Sequence, residues 1–99
     1  MPMFKTIETD IFTKWFEKLK SQKTQSIITD HIFRMMQGNL GDTRNVGEGV
    51  FEKKINYAAG FRLYYFFKEE RLIVLLCGGD KSTQQKDIKQ AIKIKKGLK

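Results

Sequence analysis

Val50-Phe51-Glu52-Lys53-Lys54-Ile55-Asn56-Tyr57, Phe61-Arg62-Leu63-Tyr64-Tyr65-Phe66-Phe67-Lys68 and Leu72-Ile73-Val74-Leu75-Leu76-Cys77 follow one another with short gaps, and their reading decides the fold. In the first segment Phe51, Ile55 and Tyr57 alternate with Glu52, Lys54 and Asn56, the period of a half-buried strand, and Lys53 alone breaks the pattern. In the second, Phe61, Leu63, Tyr65 and Phe67 oppose Arg62, Tyr64, Phe66 and Lys68. The third is apolar on both faces, which suits the interior of a sheet, and Gly78-Gly79 ends it. Tyr57-Ala58-Ala59-Gly60 and Lys68-Glu69-Glu70-Arg71 read as tight turns, so the segments form an antiparallel meander.

On the N-terminal side, Phe4 to Ile7 is extended, and Thr9 or Asp10 caps a helix whose Phe12, Trp15, Phe16 and Leu19 share one face. After a polar turn, Ser21-Gln22-Lys23, a second helix carries Ile28, Ile32, Met35 and Met36 and stops at Gly38-Asn39. The short turn makes the two an antiparallel helical hairpin. Gly38, Gly41, Gly47 and Gly49 exclude a further long helix before the strands. On the C-terminal side, Ser82 and Gln85 have capping-box spacing, and Ile88, Ala91 and Ile92 form the stripe of a last helix with a basic, fraying tail at 93–99. No repeat or linker divides residues 1–99, which read as one α+β domain.

The 99 residues carry 19 Lys+Arg against 11 Asp+Glu, a formal charge of +8, which draws phosphate backbones at long range. With 40% hydrophobic residues the chain buries a core and is not a disordered polyelectrolyte. Its longest apolar run, 72–77, is far short of the roughly 20 residues that span a bilayer, so no membrane role and a cytoplasmic location are expected. One cysteine and one histidine supply neither a disulfide framework nor structural zinc. No metal and no small-molecule cofactor are expected.

Lys54 and Arg62 point from neighbouring strands to the face away from the core, and Lys81 follows the last strand, so three cations converge as at a phosphate site. Glu52 shares their face, where a carboxylate neutralises cations or serves as a general base. Lys53, Lys68 and an outward Tyr64, whose ring would stack on a base, extend this to RNA contacts. Gly78-Gly79-Asp80-Lys81-Ser82-Thr83 joins strand to helix but lacks the glycine and lysine spacing of a nucleotide-binding P-loop. His31, at the border of a helix face, and Cys77, in an apolar strand, read as packed rather than catalytic.

Gly38-Asn39-Leu40-Gly41-Asp42, Val46-Gly47-Glu48-Gly49-Val50, Gly60-Phe61-Arg62-Leu63-Tyr64 and Leu75-Leu76-Cys77-Gly78-Gly79-Asp80-Lys81-Ser82-Thr83-Gln84, with Asp87-Ile88 and Ala91, occur in an order that resembles the RelE/HigB-like toxins of type II toxin–antitoxin modules, in the branch of addiction-module killer proteins. The resemblance implies a single RelE-like toxin domain over 1–99: a twisted antiparallel sheet with two N-terminal helices and a C-terminal helix. It implies a ribosome-dependent mRNA endonuclease, or mRNA interferase, that cleaves without metal by 2′-OH attack and is neutralised by a cognate antitoxin. The partners implied are the antitoxin, the ribosome and mRNA. Arg62 matches the family's strand arginine that contacts the scissile phosphate. Lys54, and Lys53 beside it, stand where this branch has Glu-x-Arg, with the acid retained as Glu52. Lys81 matches a basic residue after the last strand. The family's C-terminal tyrosine or histidine has no counterpart after Lys81. Two other readings are a ParE-like gyrase-inhibiting toxin and a non-catalytic basic RNA-binding module.

Overall fold

The alternating segments do become strands, and a computed structural model describes them within residues 3–98. In chain order the elements are β1 (Lys5–Glu8), α1 (Asp10–Glu17), α2 (Gln22–Met36), β2 (Thr43–Gly47), β3 (Val50–Ile55), β4 (Phe61–Glu69), β5 (Leu72–Gly79), a 3-10 turn (Lys81–Thr83) and α3 (Gln84–Gly97). One sheet holds the strands in the order β1-β5-β4-β3-β2. β2 to β5 pair antiparallel, but β1 runs parallel to β5, from Lys5 opposite Leu72 to Glu8 opposite Leu75. The sheet is therefore mixed, where an antiparallel one is predicted. No hairpin joins β1 to β5, so turn chemistry does not dictate their direction.

β2 has no counterpart in the sequence reading, because Thr43-Arg44-Asn45-Val46 lacks apolar alternation. Its pairing with β3 is bulged between Asn45 and Gly47. The turn back runs through Gly47, Glu48 and Gly49, all at positive φ, and places Arg44 opposite Glu52.

Helices cover both faces of the sheet. Phe12 of α1 and Ile28 and Met35 of α2 pack on Ile55, Leu63, Tyr65, Ile73 and Leu75. On the other face Ala91 of α3 joins Val50, Tyr64, Phe66, Val74, Leu76 and Cys77 in a second core. The face expected to be open is thus a second packing surface. Alternation identifies the two faces of a strand, but α3 decides that both are dry.

Two glycines set how closely the helices approach. Gly78 and Gly79 lie inside β5 rather than beyond it. A Cβ on Gly78 would enter the Trp15 ring, and one on Gly79 would collide with the Asp87 carboxylate. Thr9 caps α1 by accepting from the Phe12 N–H at 3.1 Å, and its hydroxyl donates to Leu76 O at 2.6 Å, which anchors the helix to β5. Ser21 caps α2, so Gln22 and Lys23 are already helical rather than turn residues.

At the C-terminal end, Asp80 caps the 3-10 turn through the Ser82 N–H at 2.8 Å, and Thr83 donates to Asp87. The Ser82 and Gln85 capping box does not form, because the 3-10 turn takes up Ser82 and α3 starts after Thr83 without a side-chain cap. α3 continues to Gly97 rather than fraying from Lys93.

Gly78→Ala is expected to lower stability by about 1–3 kcal/mol through overpacking against Trp15, read as a shift in the chemical-denaturation midpoint with unchanged slope.

Candidate functional site

Strand register brings the predicted cations together. Lys54 lies directly opposite Arg62, and Arg62 opposite Gly79, at one end of the sheet. The Lys81 N–H bonds to Ala59 O at 3.3 Å, which brings the segment after β5 against the β3–β4 turn. The three basic residues line one hollow of about 440 Å³ with Asn56, Tyr57 and Gly60. A second hollow, about 300 Å³, shares Lys54 and Arg62 and is completed by Asp42, Arg44, Glu52 and Gln84.

Arg62 is 5% exposed. Its Nη1 donates to Gly60 O at 2.8 Å, while Nε lies 3.7 Å from Glu52 Oε2 and is buried without a hydrogen-bond partner. The guanidinium is thus held by its own turn and by a carboxylate, with donor capacity left for an oxyanion such as phosphate.

Glu52 organises the site. Arg44 Nε donates to Oε1 at 2.9 Å, and Gln84 Nε2 and the Tyr64 hydroxyl donate to Oε2 at 2.9 and 3.1 Å. Donors from β2, β4 and the start of α3 thereby meet on one β3 carboxylate. Burial works to raise its pKa, but the hydrogen bonds from Arg44, Gln84 and Tyr64 outweigh it and hold the group below the usual carboxylate value. An anion so well satisfied is a weak base, so this environment suits Glu52 to aligning Arg62 better than to taking a proton.

The remaining predicted residues lie elsewhere. Tyr64 is not outward: its ring is wholly buried beneath α3, which leaves no face for a base. Burial first, then Glu52, raise its hydroxyl pKa. Lys53 is 2% exposed, and its ammonium donates to Leu40 O at 2.9 Å rather than projecting toward solvent. Lys68 is exposed near the opposite end of β4, six positions or roughly 20 Å along the strand from Arg62. Cys77 is buried, its thiol pushed up to about 12 by burial and Asp87, as befits a packing residue. Among the described residues no group of histidine, cysteine, aspartate or glutamate is placed to hold a metal, and no helix is long and apolar enough to cross a membrane.

Arg44 and Gln84 are the participants that sequence reading missed. Arg44 sits on the unassigned strand, and only the β2–β3 register reveals that it faces Glu52.

The architecture is that of RelE-type toxins. A double mutant of the Escherichia coli toxin RelE in the free state superposes with a TM-score of 0.71 at 14% identity, over 94% of this chain and 97% of that one. The toxin–antitoxin complex RelBE2 from Mycobacterium tuberculosis gives a TM-score of 0.64 at 16% identity, over 82% of this chain and 100% of the other. At the level of sequence, residues 14–99 match the model of the family described as phage derived protein Gp49-like (DUF891), and the chain belongs to that family. An uncharacterised protein of Haemophilus influenzae is 46% identical over 80 residues, covering 81% of each chain.

The lowered pKa of Glu52 fixes the sign of a pH effect. Its ionised form stabilises the fold fully above the unfolded carboxylate value near 4.3, and the contribution fades as pH falls toward the lower native value. Glu52→Gln is expected to cost about 1–3 kcal/mol at neutral pH, a gap that narrows on acidification below roughly pH 4.3 in denaturation curves.

Proposed function

We propose that this protein is the toxin of a type II toxin–antitoxin pair and cleaves messenger RNA on the ribosome. The observation that carries the reading is the convergence of Lys54, Arg62 and Lys81 on one hollow, with Glu52 steadying the arginine from behind. Such a hollow suits a phosphodiester whose charge grows during reaction.

In the proposed reaction a ribose 2′-oxygen attacks the adjacent phosphorus and gives up its proton, and the bond to the 5′-oxygen breaks. The products are a 2′,3′-cyclic phosphate and a 5′-hydroxyl end. Arg62 binds two phosphoryl oxygens, Lys54 stands across the strands from it, and Lys81 supports the departing oxygen. Glu52 and Arg44 are positioning residues. Neither tyrosine nor histidine follows Lys81, so rate enhancement comes chiefly from charge stabilisation and from the ribosome holding the message in line.

The antitoxin is proposed to dock at a groove of about 650 Å³ between α1 and α3. There Ile11, Ile94 and Leu98 form an apolar floor and Lys86, Lys89 and Lys93 a basic rim. Ile11 and Leu98 are 42% and 44% exposed. An amphipathic helix with acidic flanks complements both features.

Two measurements test the reading. In a reconstituted translation reaction with one defined mRNA, mapped 5′ ends should appear with wild-type protein, and Arg62→Ala should cut at least 10²-fold more slowly. Intact messages alongside continued growth arrest would refute nuclease action and direct attention to gyrase, as for a ParE-like toxin. The pair Lys89→Glu and Lys93→Glu should weaken binding of the antitoxin by more than tenfold in calorimetry while leaving cleavage unchanged.

A further inference from the structure

A third hollow, about 240 Å³, opens on the α2 side of β3 and shares Lys54 with the other two. His31 and Arg34 line it from α2, Asn39 and Gly41 from the following loop, and Lys53 and Lys54 from β3. Asp42 and Asn56 complete its rim, and Lys54 and Asn56 also line the 440 Å³ hollow, so the two are neighbours.

Its donors are only partly satisfied. Lys53 is buried, yet its ammonium, with three protons, makes one hydrogen bond among the described residues, to Leu40 O. His31 Nδ1 is shielded from solvent and has no hydrogen-bond partner among the described residues. The backbone makes room for this arrangement: Gly41 sits at φ +69°, and a Cβ there would occupy the place of the Lys53 ammonium.

The charges are also unbalanced. Arg34, Lys53 and Lys54 line the hollow against Asp42 alone, while Asp30 pairs with Arg34 at 2.6 Å on the exposed helix surface. Burial first, then Lys53 and Arg34, lower the His31 pKa, with Asp30 opposing. Burial and Arg34 likewise lower that of Lys53, with Asp42 opposing. Among the described residues, three cations line the hollow against one carboxylate, a bias toward an anionic ligand.

We propose that this hollow is a second phosphate subsite, which holds through His31, Arg34 and Lys53 a phosphodiester of the same nucleic-acid strand whose scissile phosphate lies at Arg62 and Lys81. The inference rests on the nuclease reading for the identity of the strand, and on the hollow's own geometry for the phosphate. A volume of about 240 Å³ is ample for a phosphate group. Two neighbouring hollows that share Lys54 suit successive phosphates of one chain. Anchoring of Leu40 by Lys53 accounts for one bond of one residue; it accounts neither for the unpartnered His31 nitrogen nor for the convergence of Arg34 and Lys54.

His31 is the sole histidine, so its ring resonances report on the hollow without ambiguity. Wild-type protein, Arg34→Gln and Lys53→Met would be titrated by NMR with inorganic phosphate and with a non-cleavable 2′-O-methyl RNA tetranucleotide. The tetranucleotide should shift the His31 ring signals saturably and raise the ring's titration midpoint. Arg34→Gln, at an exposed position that does not threaten the fold, should weaken this response at least fivefold, and Lys53→Met more. Arg62→Ala should retain the response to inorganic phosphate. A tetranucleotide that perturbs the Arg62 side chain yet leaves His31 unmoved would overturn the subsite while the nuclease reading stands. A response to inorganic phosphate alone would overturn the assignment to a chain. A full His31 response to the tetranucleotide, from a protein that leaves messages intact on the ribosome, would uphold the subsite and refute the nuclease reading.

Discussion

A buried carboxylate must be neutralised by groups that come to it, and Glu52 draws them from three separate elements. Arg44 brings in the edge strand β2, Tyr64 the central strand β4, and Gln84 the first residue of α3. Losing the Tyr64 contact strands a buried hydroxyl, and losing the Arg44 contact strips Oε1 of its donor, so local placement and global packing reinforce each other. Arg62 inherits its position from this arrangement, because Glu52 on one side and Gly60 on the other limit the rotamers open to it. The cation that faces the hollow is thus an extension of the core.

Periodicity and turn chemistry were enough to locate β3, β4, β5 and the three long helices, because each carries an apolar face of the correct period. They could not reveal β2, whose five residues lack such a face, nor the parallel pairing of β1, which no turn encodes. For the site, the alternation of β3 and β4 placed Lys54 opposite Arg62 as found. It misjudged Tyr64 because a polar tip on a strand looks alike whether its ring faces water or a helix. Lys53 was legible only as an interruption of the pattern: the lysine bends its ammonium to a loop carbonyl, a solution that depends on where residues 40 and 41 happen to pass. Arg44 was hidden because the strand that carries it lacks apolar alternation, and Gln84 because it reaches Glu52 across 32 residues.

Positive charge is distributed unevenly with respect to depth. Lys86, Lys89 and Lys93 ring an apolar groove at the surface, where salt screens them. Arg62 and Lys53 are nearly inaccessible, and there each charge acts at close range with little screening. One chain with a net charge of +8 therefore presents two kinds of electropositive surface, one suited to fast encounter and one to tight geometric selection.

The Gly78-Gly79 pair has a genetic consequence. Both faces of β5 are pressed by large groups at these two positions, the Trp15 indole on one side and the Asp87 carboxylate on the other. Glycine is the one residue without a Cβ, so every missense change at either codon inserts an atom where none fits. These adjacent codons are thus a compact target whose every missense change acts through the packing of β5 against its two helices, distant in kind from a change at an exposed lysine such as Lys81, which leaves the fold intact.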